Sequence, residues 1–159
     1  MKIILIVLLH LFFGTSLMAK GESIPPYEIS CNGVGVEGTY LVEVAVILPK
    51  PNADVEGNIR RAAIHGVLFK GVSASEQCSG YRPIVTKEGI EQEYSSFFSS
   101  FFKDDCKIAS YANIVEGSLH VIKIPKKNYR ISAIVSVKKD NLRNMLESNK
   151  VIEGLKDLF

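Results

Sequence analysis

Hydrophobic and polar positions follow two alternating periods along this chain, one typical of strands and one typical of helices. The β-branched and apolar run over 39–48 predicts a central strand, which the prolines that follow it end. Apolar residues then recur every three or four positions over 55–67, which predicts an amphipathic helix capped by Asn52 or Asp54. Gly71 is a suitable C-cap, so this helix is expected to end just before it.

The predicted first helix has small residues in the middle of its apolar face, at Ala62, Ala63 and Gly66. Small side chains allow a helix to approach a sheet closely. Arg60 and Arg61 fall off that face.

Serine pairs and phenylalanine pairs alternate over 88–103, with the spacing of a second helix. The aromatic side chains then share one face and the serines the opposite one. We interpret the aromatic face as core, because five exposed rings would be unfavourable; an exposed partner surface is the alternative. The aromatic residues are Tyr94, Phe97, Phe98, Phe101 and Phe102.

The remaining pattern predicts a sheet with a final helix. Strands are expected over 83–86, 107–115, 119–124 and 129–137, and the last of these alternates between apolar and polar residues. Asp140 is suited to cap a helix over 141–148, and the tail 151–159 predicts a further short helix. This order predicts an α+β fold: a mainly antiparallel sheet of about four to five strands, with two to three helices packed on one face.

The first residues have the pattern of a cleavable signal peptide. A single lysine, an apolar run too short to span a bilayer and a small residue at Ala19 predict a leader over 1–19, with Gly21 as a second cleavage position. Pro25 and Pro26 make 20–38 an extended lead-in, and 39–159 is predicted to be one α+β domain. The leader predicts a periplasmic or secreted protein with no membrane span after cleavage.

Three cysteines remain after the predicted leader, at Cys31, Cys78 and Cys106. An oxidising compartment allows one disulfide among them and leaves one thiol over, or all three are small buried thiols. The spacing does not select a pair, although a Cys78–Cys106 bridge would brace the middle of the chain. No cysteine follows the apolar run directly, so a lipid anchor is not expected.

Candidate chemistry is sparse. The glycines of residues 33–38 match the spacing of a dinucleotide-binding loop, but they run into a strand instead of opening a helix, so we interpret them as a turn or bulge. His65 and His120 lack the neighbours that a metal site needs, and no Gly-x-Ser-x-Gly motif is present. We therefore expect no catalytic, metal-binding or cofactor-binding residue and no enzymatic activity.

Basic residues gather around one predicted hairpin, at Lys123, Lys126, Lys127 and Arg130. They form a candidate interaction patch, or alternatively a solvated sheet edge that resists aggregation. The formal net charge of the whole chain is only +2, so nucleic acid is not an expected partner.

Several segments resemble known exported proteins. The helix end at 64–71, Pro83 to Val85 and the serine–phenylalanine pairs of 94–102 resemble an uncharacterised family of exported Bacteroidetes proteins, a domain of unknown function. More distantly, residues 129–142 are similar to the N-terminal domain of the flagellar assembly protein T and to small envelope lipoproteins of the same α+β fold. The resemblance implies a non-enzymatic envelope or assembly module with no catalytic residues.

Two functions follow as hypotheses. The first is an exported interaction module that binds another envelope protein or itself. The alternative is a small-molecule-binding protein or hydrolase with a site between helix and sheet. A deep pocket enclosing His65 or His120 beside carboxylates would favour the alternative, and a core without pockets would count against it.

Overall fold

A computed structural model describes residues 24–50 and 54–154 of the chain. The described residues form five β-strands and five α-helices, with a π-helical turn, Gly66–Lys70, continuing the first helix. In chain order the elements are β1 (Tyr27–Cys31), β2 (Tyr40–Leu48), α1 (Val55–His65), α2 (Ile90–Glu93), α3 (Ser95–Lys103), α4 (Asp105–Tyr111), β3 (Ala112–Ile114), β4 (His120–Ile124), β5 (Asn128–Val137) and α5 (Lys139–Ser148).

The strands form one antiparallel sheet in the order β1-β2-β5, with β3 and β4 end to end along the far edge of β5. Val46 of β2 lies opposite Ile131 of β5 in the central pair. The predicted α+β class is therefore confirmed. The helices are more numerous than the two to three predicted, because the second predicted helix is interrupted and one predicted strand segment is helical.

The inner face of the sheet, which the helices cover, is the core. On β5 the predicted alternation is confirmed, since the side chains that face inward are at most 1% exposed. Ile59, Ala62 and Ala63 of α1 are fully buried against the sheet. A Cβ on Gly66 would lie 2.7 Å from Ile29 Cδ1, so any larger residue here would require the Ile29 side chain to shift. The inward side chains of β5 are Ile131, Ala133, Val135 and Val137.

Both ends of the first predicted helix are confirmed. The Asp54 carboxylate accepts a hydrogen bond from the Gly57 amide at 3.1 Å, which satisfies one of the free donors at the helix start. Gly71 ends the π-helical turn with a positive φ of 81°, and its amide donates to the Gly66 carbonyl at 2.8 Å.

Arg61 differs from the sequence interpretation because it is buried, with 2% exposure. Its Nε donates to the Phe102 carbonyl at 2.9 Å and its Nη1 to Asp54 at 2.9 Å. Its Nη2 forms a further ion pair with Asp105. The guanidinium thus joins the start of α1 to the junction of α3 and α4.

The aromatic face of the second predicted helix is core, as expected. Phe98, Phe101 and Phe102 are buried, while Phe97 and Tyr94 are half-buried against the core. The helix is interrupted at Tyr94, which leaves helical geometry with φ −104° and ψ 30° and separates α2 from α3.

The strand predicted over 107–115 is mostly wrong, since α4 occupies Asp105–Tyr111 and only Ala112–Ile114 is extended. Asp104 caps α4 by accepting from the Lys107 amide at 3.0 Å. Ile108 is the fully buried residue of α4, and Ala112, where the chain becomes extended, is also fully buried.

The short strand predicted over 83–86 is also absent from the described structure. The Ile84 amide donates instead to the Val67 carbonyl at 3.0 Å. The Val85 amide donates to the Leu68 carbonyl at 2.9 Å. This segment therefore satisfies the open carbonyls of the preceding helix end.

The final helix is confirmed, although it starts at Lys139, so that Asp140 lies in its first turn and is not the cap. Residues 151–154 are not helical, and the rest of the predicted tail helix lies outside the described residues, as does the predicted leader over 1–19. The predicted lead-in 20–38 contains β1, so the domain starts before residue 39.

Residues 33–38 form the turn between β1 and β2, as interpreted from the sequence. Gly33 and Gly38 have φ of 96° and 78°, which favour glycine, and the Asn32 amide closes the loop on the Leu41 carbonyl at 2.9 Å. Val34 and Val36 at its tip are 91% and 80% exposed.

The disulfide joins Cys31 to Cys78, with 5.9 Å between their Cα atoms, so the predicted Cys78–Cys106 pairing is wrong. The loop after α1 runs beside β1, where the Cys31 amide donates to the Ser73 carbonyl at 2.8 Å. Cys106 lies on α4, exposed and outside the bridge.

Candidate functional site

The predicted basic patch is divided by the structure. Lys123 on β4 and Lys126 and Lys127 in the following turn are exposed and adjacent along the chain. Arg130 lies on β5, where its Nη2 donates to Glu28 at 2.7 Å across the intervening strand β2. That hydrogen bond and the positive charge of Arg130 hold the pKa of the Glu28 carboxyl below its usual range. The patch available to a partner is therefore the three lysines.

The turn that carries two of these lysines has an unusual backbone. Lys126 and Lys127 have φ of 65° and 59°, in the left-handed region that glycine and asparagine favour. Glycine or asparagine at these two positions would reduce the backbone strain, but the turn would then carry no ammonium groups.

Strand β4 is apolar yet solvent-accessible. Val121 is 49% and Ile122 58% exposed, and none of its five residues is buried. Within the described part of the chain β4 pairs only with β5, so its other edge has no strand beside it.

The direction of the backbone groups on β4 follows from its neighbours. The Ile134 amide donates to Ser118 Oγ at 3.0 Å and its carbonyl accepts from the Val115 amide at 2.8 Å, so Ile134 faces the β3–β4 edge. Backbone groups alternate along a strand, so Arg130 and Ser132 also face β4 and bond Ile122 and His120. The amides and carbonyls of Val121 and Lys123 consequently point away from the sheet.

The outer face of the sheet, opposite the helices, continues this accessible surface. His120, Ile122 and Ile124 of β4 lie on it, opposite Ser132, Arg130 and Asn128 of β5. Ile47 on β2, paired with Arg130, is 39% exposed on the same face. We call β4 together with this face the β4 surface.

A second candidate site lies around His65 between helix and sheet, the location that the alternative hypothesis names, although no residue of it was predicted to bind or react. Tyr27 of β1 and Glu91 of α2 bond the two ring nitrogens of His65 on α1. The distances are 2.7 Å from the Tyr27 hydroxyl to Nδ1 and 3.1 Å from Nε2 to Glu91 Oε1. These three side chains line a cleft of about 510 Å³, together with Ile24, Gln92, Ser95, Phe98, Ser99, Phe102 and Lys103.

The Glu91 carboxylate determines one hydrogen-bond direction in this group. A carboxylate only accepts, so His65 donates from Nε2 to Glu91, and in the neutral imidazole Nδ1 then accepts from the Tyr27 hydroxyl. Burial, and then the charge of Glu91, raise the pKa of Tyr27 to about 12, so the phenol keeps its proton at neutral pH. The chain of bonds can bind a polar group or pass a proton, and it does not produce a tyrosinate nucleophile.

Sequence reasoning missed Tyr27 and Glu91 because they lie 38 and 26 residues from His65. A local signal existed for Tyr27, since Tyr27, Ile29 and Cys31 alternate with polar residues as in a half-buried strand. His120, the second histidine considered, is exposed on β4.

A larger cleft, of about 730 Å³, lies between the residues around α2 and the C-terminal part of α5. Its wall includes the ion pair of Arg143 and Glu147, whose Nε and Oε1 are 3.0 Å apart. Charges of both signs therefore line it, with no histidine or cysteine among its residues.

Residues 24–50 and 54–154 contain no group of three or more histidine, cysteine or acidic side chains that could hold a metal ion. Their helices are all too short or too polar to cross a bilayer. Comparison with family models, with curated proteins and with solved structures finds no match to this chain.

Proposed function

We propose that this chain is an exported, non-enzymatic module that binds a protein partner through the β4 surface. One observation carries the proposal: β4 is apolar, accessible on both faces and paired on one edge only. Exposed apolar edge strands promote association, so proteins normally shorten, cover or charge them. Lys123 charges this edge, but Val121 and Ile122 leave it apolar.

Export is supported by the leader pattern of residues 1–19 and by the Cys31–Cys78 bridge, which suits an oxidising compartment. The resemblance to exported envelope proteins points the same way. Mass spectrometry of the exported chain tests this part: the expected N-terminus is Lys20, or Glu22 for cleavage after Gly21, and an intact Met1 would contradict export by a cleaved leader.

Site-specific photo-crosslinking in the native envelope tests the interaction. A crosslinking residue in place of Ile122 is expected to capture a defined protein, which mass spectrometry identifies. The same residue in place of Val34 is the matched control, because Val34 is an even more exposed apolar residue outside the β4 surface.

The captured protein must then bind the purified chain directly. Ile122→Lys is expected to weaken that affinity by about tenfold, and Val34→Lys to leave it unchanged. Equal capture at both positions, or no capture at Ile122, would refute an interaction through the β4 surface.

A second function is favoured by the cleft at Tyr27, His65 and Glu91: binding of a small polar molecule between helix and sheet. The hydrogen-bonded chain beside a cleft of about 510 Å³ supports it. A panel of sugars, amino acids and nucleosides screened by thermal shift tests it, because a ligand of the folded state raises Tm.

His65→Gln should remove the Tm increase that a ligand gives, while His120→Gln, on exposed β4, should retain it. A panel in which no compound raises Tm for the unmodified chain would leave the three residues with a purely structural role.

A further inference from the structure

The two outer edges of the sheet, β1 and β4, differ in how accessible their backbone groups are to an incoming strand. Along β1, the loop after α1 already occupies the outer edge, with bonds from the Cys31 amide to Ser73 at 2.8 Å and from the Ser73 amide to Ile29 at 3.3 Å. Along β4, Val121 and Lys123 direct their amides and carbonyls outward, as derived above from the orientation of Ile134. Two donors and two acceptors on alternate residues match the hydrogen-bonding pattern of one incoming strand.

The side chains around this edge determine which strand fits. Ile122 on the outer face and Val121 on the inner face give apolar contact near the middle of β4. Lys123, Lys126 and Lys127 surround its C-terminal end with positive charge. An incoming strand therefore needs apolar residues at its centre and acidic residues toward the turn.

The strained turn supports a role for these charges. Left-handed backbone is unfavourable for non-glycine residues, and Asn-Gly at these two positions would relieve most of this strain. Retaining Lys126 and Lys127 there sacrifices stability for two fixed positive charges, a trade that is typical of functional positions.

A second copy of this chain is a poorer occupant of the same edge. Parallel pairing of two β4 strands would bring the three lysines of both copies together, which like-charge repulsion opposes, and antiparallel pairing would place neither lysine group beside acidic residues of the other β4. An acidic segment would instead neutralise them.

We propose that β4 binds an extended acidic segment of the protein partner as an added strand of the sheet, through the backbone of Val121 and Lys123. This inference rests on the proposed function and specifies its partner chemistry. Binding should weaken as salt is added, because the lysines are exposed and screened.

The probe is a synthetic peptide of about ten residues, the length of a strand, with valine and threonine at its centre and glutamates at both ends. A peptide with lysine in place of each glutamate tests charge, and one with a central proline tests the extended backbone pairing. Fluorescence anisotropy with the full exported chain gives the affinities, and amide hydrogen exchange by NMR gives the site.

The glutamate peptide is expected to slow exchange of the Val121 and Lys123 amides by about tenfold or more, since these become paired. The His120 and Ile122 amides are already bonded to β5 and should change far less. Both control peptides should bind at least about tenfold more weakly.

Two variants of the chain separate the backbone contribution from the side-chain contribution. Val121→Pro removes an outward amide without breaking a bond to β5 and should weaken binding by about tenfold, while Val121→Ala keeps the amide and should change it by less than about threefold. The double variant Lys126→Asn, Lys127→Gly should raise Tm by about a few degrees and still weaken binding.

Each contrary result has a distinct meaning. Equal binding of the lysine peptide would overturn the acidic chemistry. Unprotected Val121 and Lys123 amides, or a failure of every peptide to bind, would overturn strand addition, while crosslinking at Ile122 would still support a partner on the outer face. Protection of these two amides on self-association of the chain alone would make a second copy the occupant.

Discussion

Arg61 brings a positive charge into the interior of the molecule, and its three hydrogen bonds reach three separate points of the chain. Its partners Asp54 and Asp105 are about half and two-thirds exposed, whereas the Phe102 carbonyl is bonded inside the structure. Among the described residues, the neighbouring Arg60 bonds Glu56, which lies one turn away on the same helix and is 60% exposed. Two adjacent arginines thus have opposite roles, which helical periodicity alone does not distinguish.

Removal of Arg61 should therefore be much more harmful than removal of Arg60. Arg61→Ala leaves the Phe102 carbonyl unpaired and a cavity in the interior, and should lower the free energy of unfolding by about 2–4 kcal/mol. Arg60→Ala loses a surface ion pair and should change it by less than about 0.5 kcal/mol. Urea unfolding of both variants checks this, and equal losses would show that Arg61 contributes no more than a surface charge.

Tyr27 makes stability depend on pH in alkaline solution. Its pKa in the folded chain is about 12, above the ordinary value of 10.0, because burial and Glu91 disfavour the phenolate. The unfolded chain therefore releases this proton first as pH rises. The stabilisation is complete below pH 10 and is lost between about pH 10 and 12.

Tyr27→Phe should flatten that pH dependence, because the variant has no proton to release at this position. Urea midpoints between pH 9 and about 11 should fall more steeply for the unmodified chain than for Tyr27→Phe. Tyr94→Phe, which loses an exposed hydrogen bond to the Lys150 carbonyl, is the control and should follow the unmodified chain. Parallel curves for all three proteins would refute the role of Tyr27.

At the scale of elements, one serine joins two short strands into a single edge. Ser118 Oγ accepts from the Ile134 amide at 3.0 Å and donates to the Val115 carbonyl at 2.6 Å, in the gap between β3 and β4. The Ser118 hydroxyl thus supplies the hydrogen-bond partner for Ile134 that a strand backbone would otherwise provide. Because Ser118 is only 9% exposed, water cannot easily take its place.

Ser118→Ala should destabilise the chain by about 1–2 kcal/mol, since it leaves the half-buried Ile134 amide without its acceptor. Amide exchange along β4 should accelerate more than exchange in β2. Ser110→Ala, which removes an exposed bond to the Lys107 carbonyl, should have an effect below about 0.5 kcal/mol. Unchanged exchange in β4 would show that β5 holds this strand without Ser118.

Long periodic segments explain why much of the fold was predictable. β2, α1 and β5 each repeat their pattern over nine or more residues, so one period clearly dominates. The strand prediction for residues 107–111 is wrong because a short apolar run fits both periods, and the Asp104 cap favours the helix. β1 was not predicted as a strand because it has only five residues and follows two prolines. Its short alternating pattern was weaker evidence than the prolines, which indicate an irregular extended segment.

The candidate sites also differ in how far the sequence predicts them. Lys123, Lys126 and Lys127 are close in sequence, so composition alone revealed them. The bonds of His65 to Tyr27 and Glu91 form only when β1, α1 and α2 meet, and no local pattern encodes that meeting. The free edge of β4 likewise depends on which strands pair, a property of the whole sheet.

At the scale of the whole molecule, the disulfide ties the edge of the sheet to the loop that covers it. Its cysteines are 47 residues apart, and closing a loop of that length removes unfolded-state entropy worth up to about 4 kcal/mol. Cys31→Ala with Cys78→Ala should therefore lower the free energy of unfolding by about 2–4 kcal/mol, and Cys106→Ser should leave it nearly unchanged.

Peptide mapping without reductant should recover Cys31 linked to Cys78, with a single thiol free to react in the unfolded protein. A Cys78–Cys106 peptide in the exported chain would contradict the structure and restore the pairing considered from the sequence.

The position of β5 at the centre of the sheet also governs when the chain can fold. β2 must wait for a partner that starts at Asn128, so the central pair joins segments about eighty residues apart along the chain. Until then β1 and β2 are the strands of the described sheet that can pair, and an isolated hairpin is marginally stable. The described sheet is therefore completed only once the C-terminal part of the chain, with β5, has been synthesised.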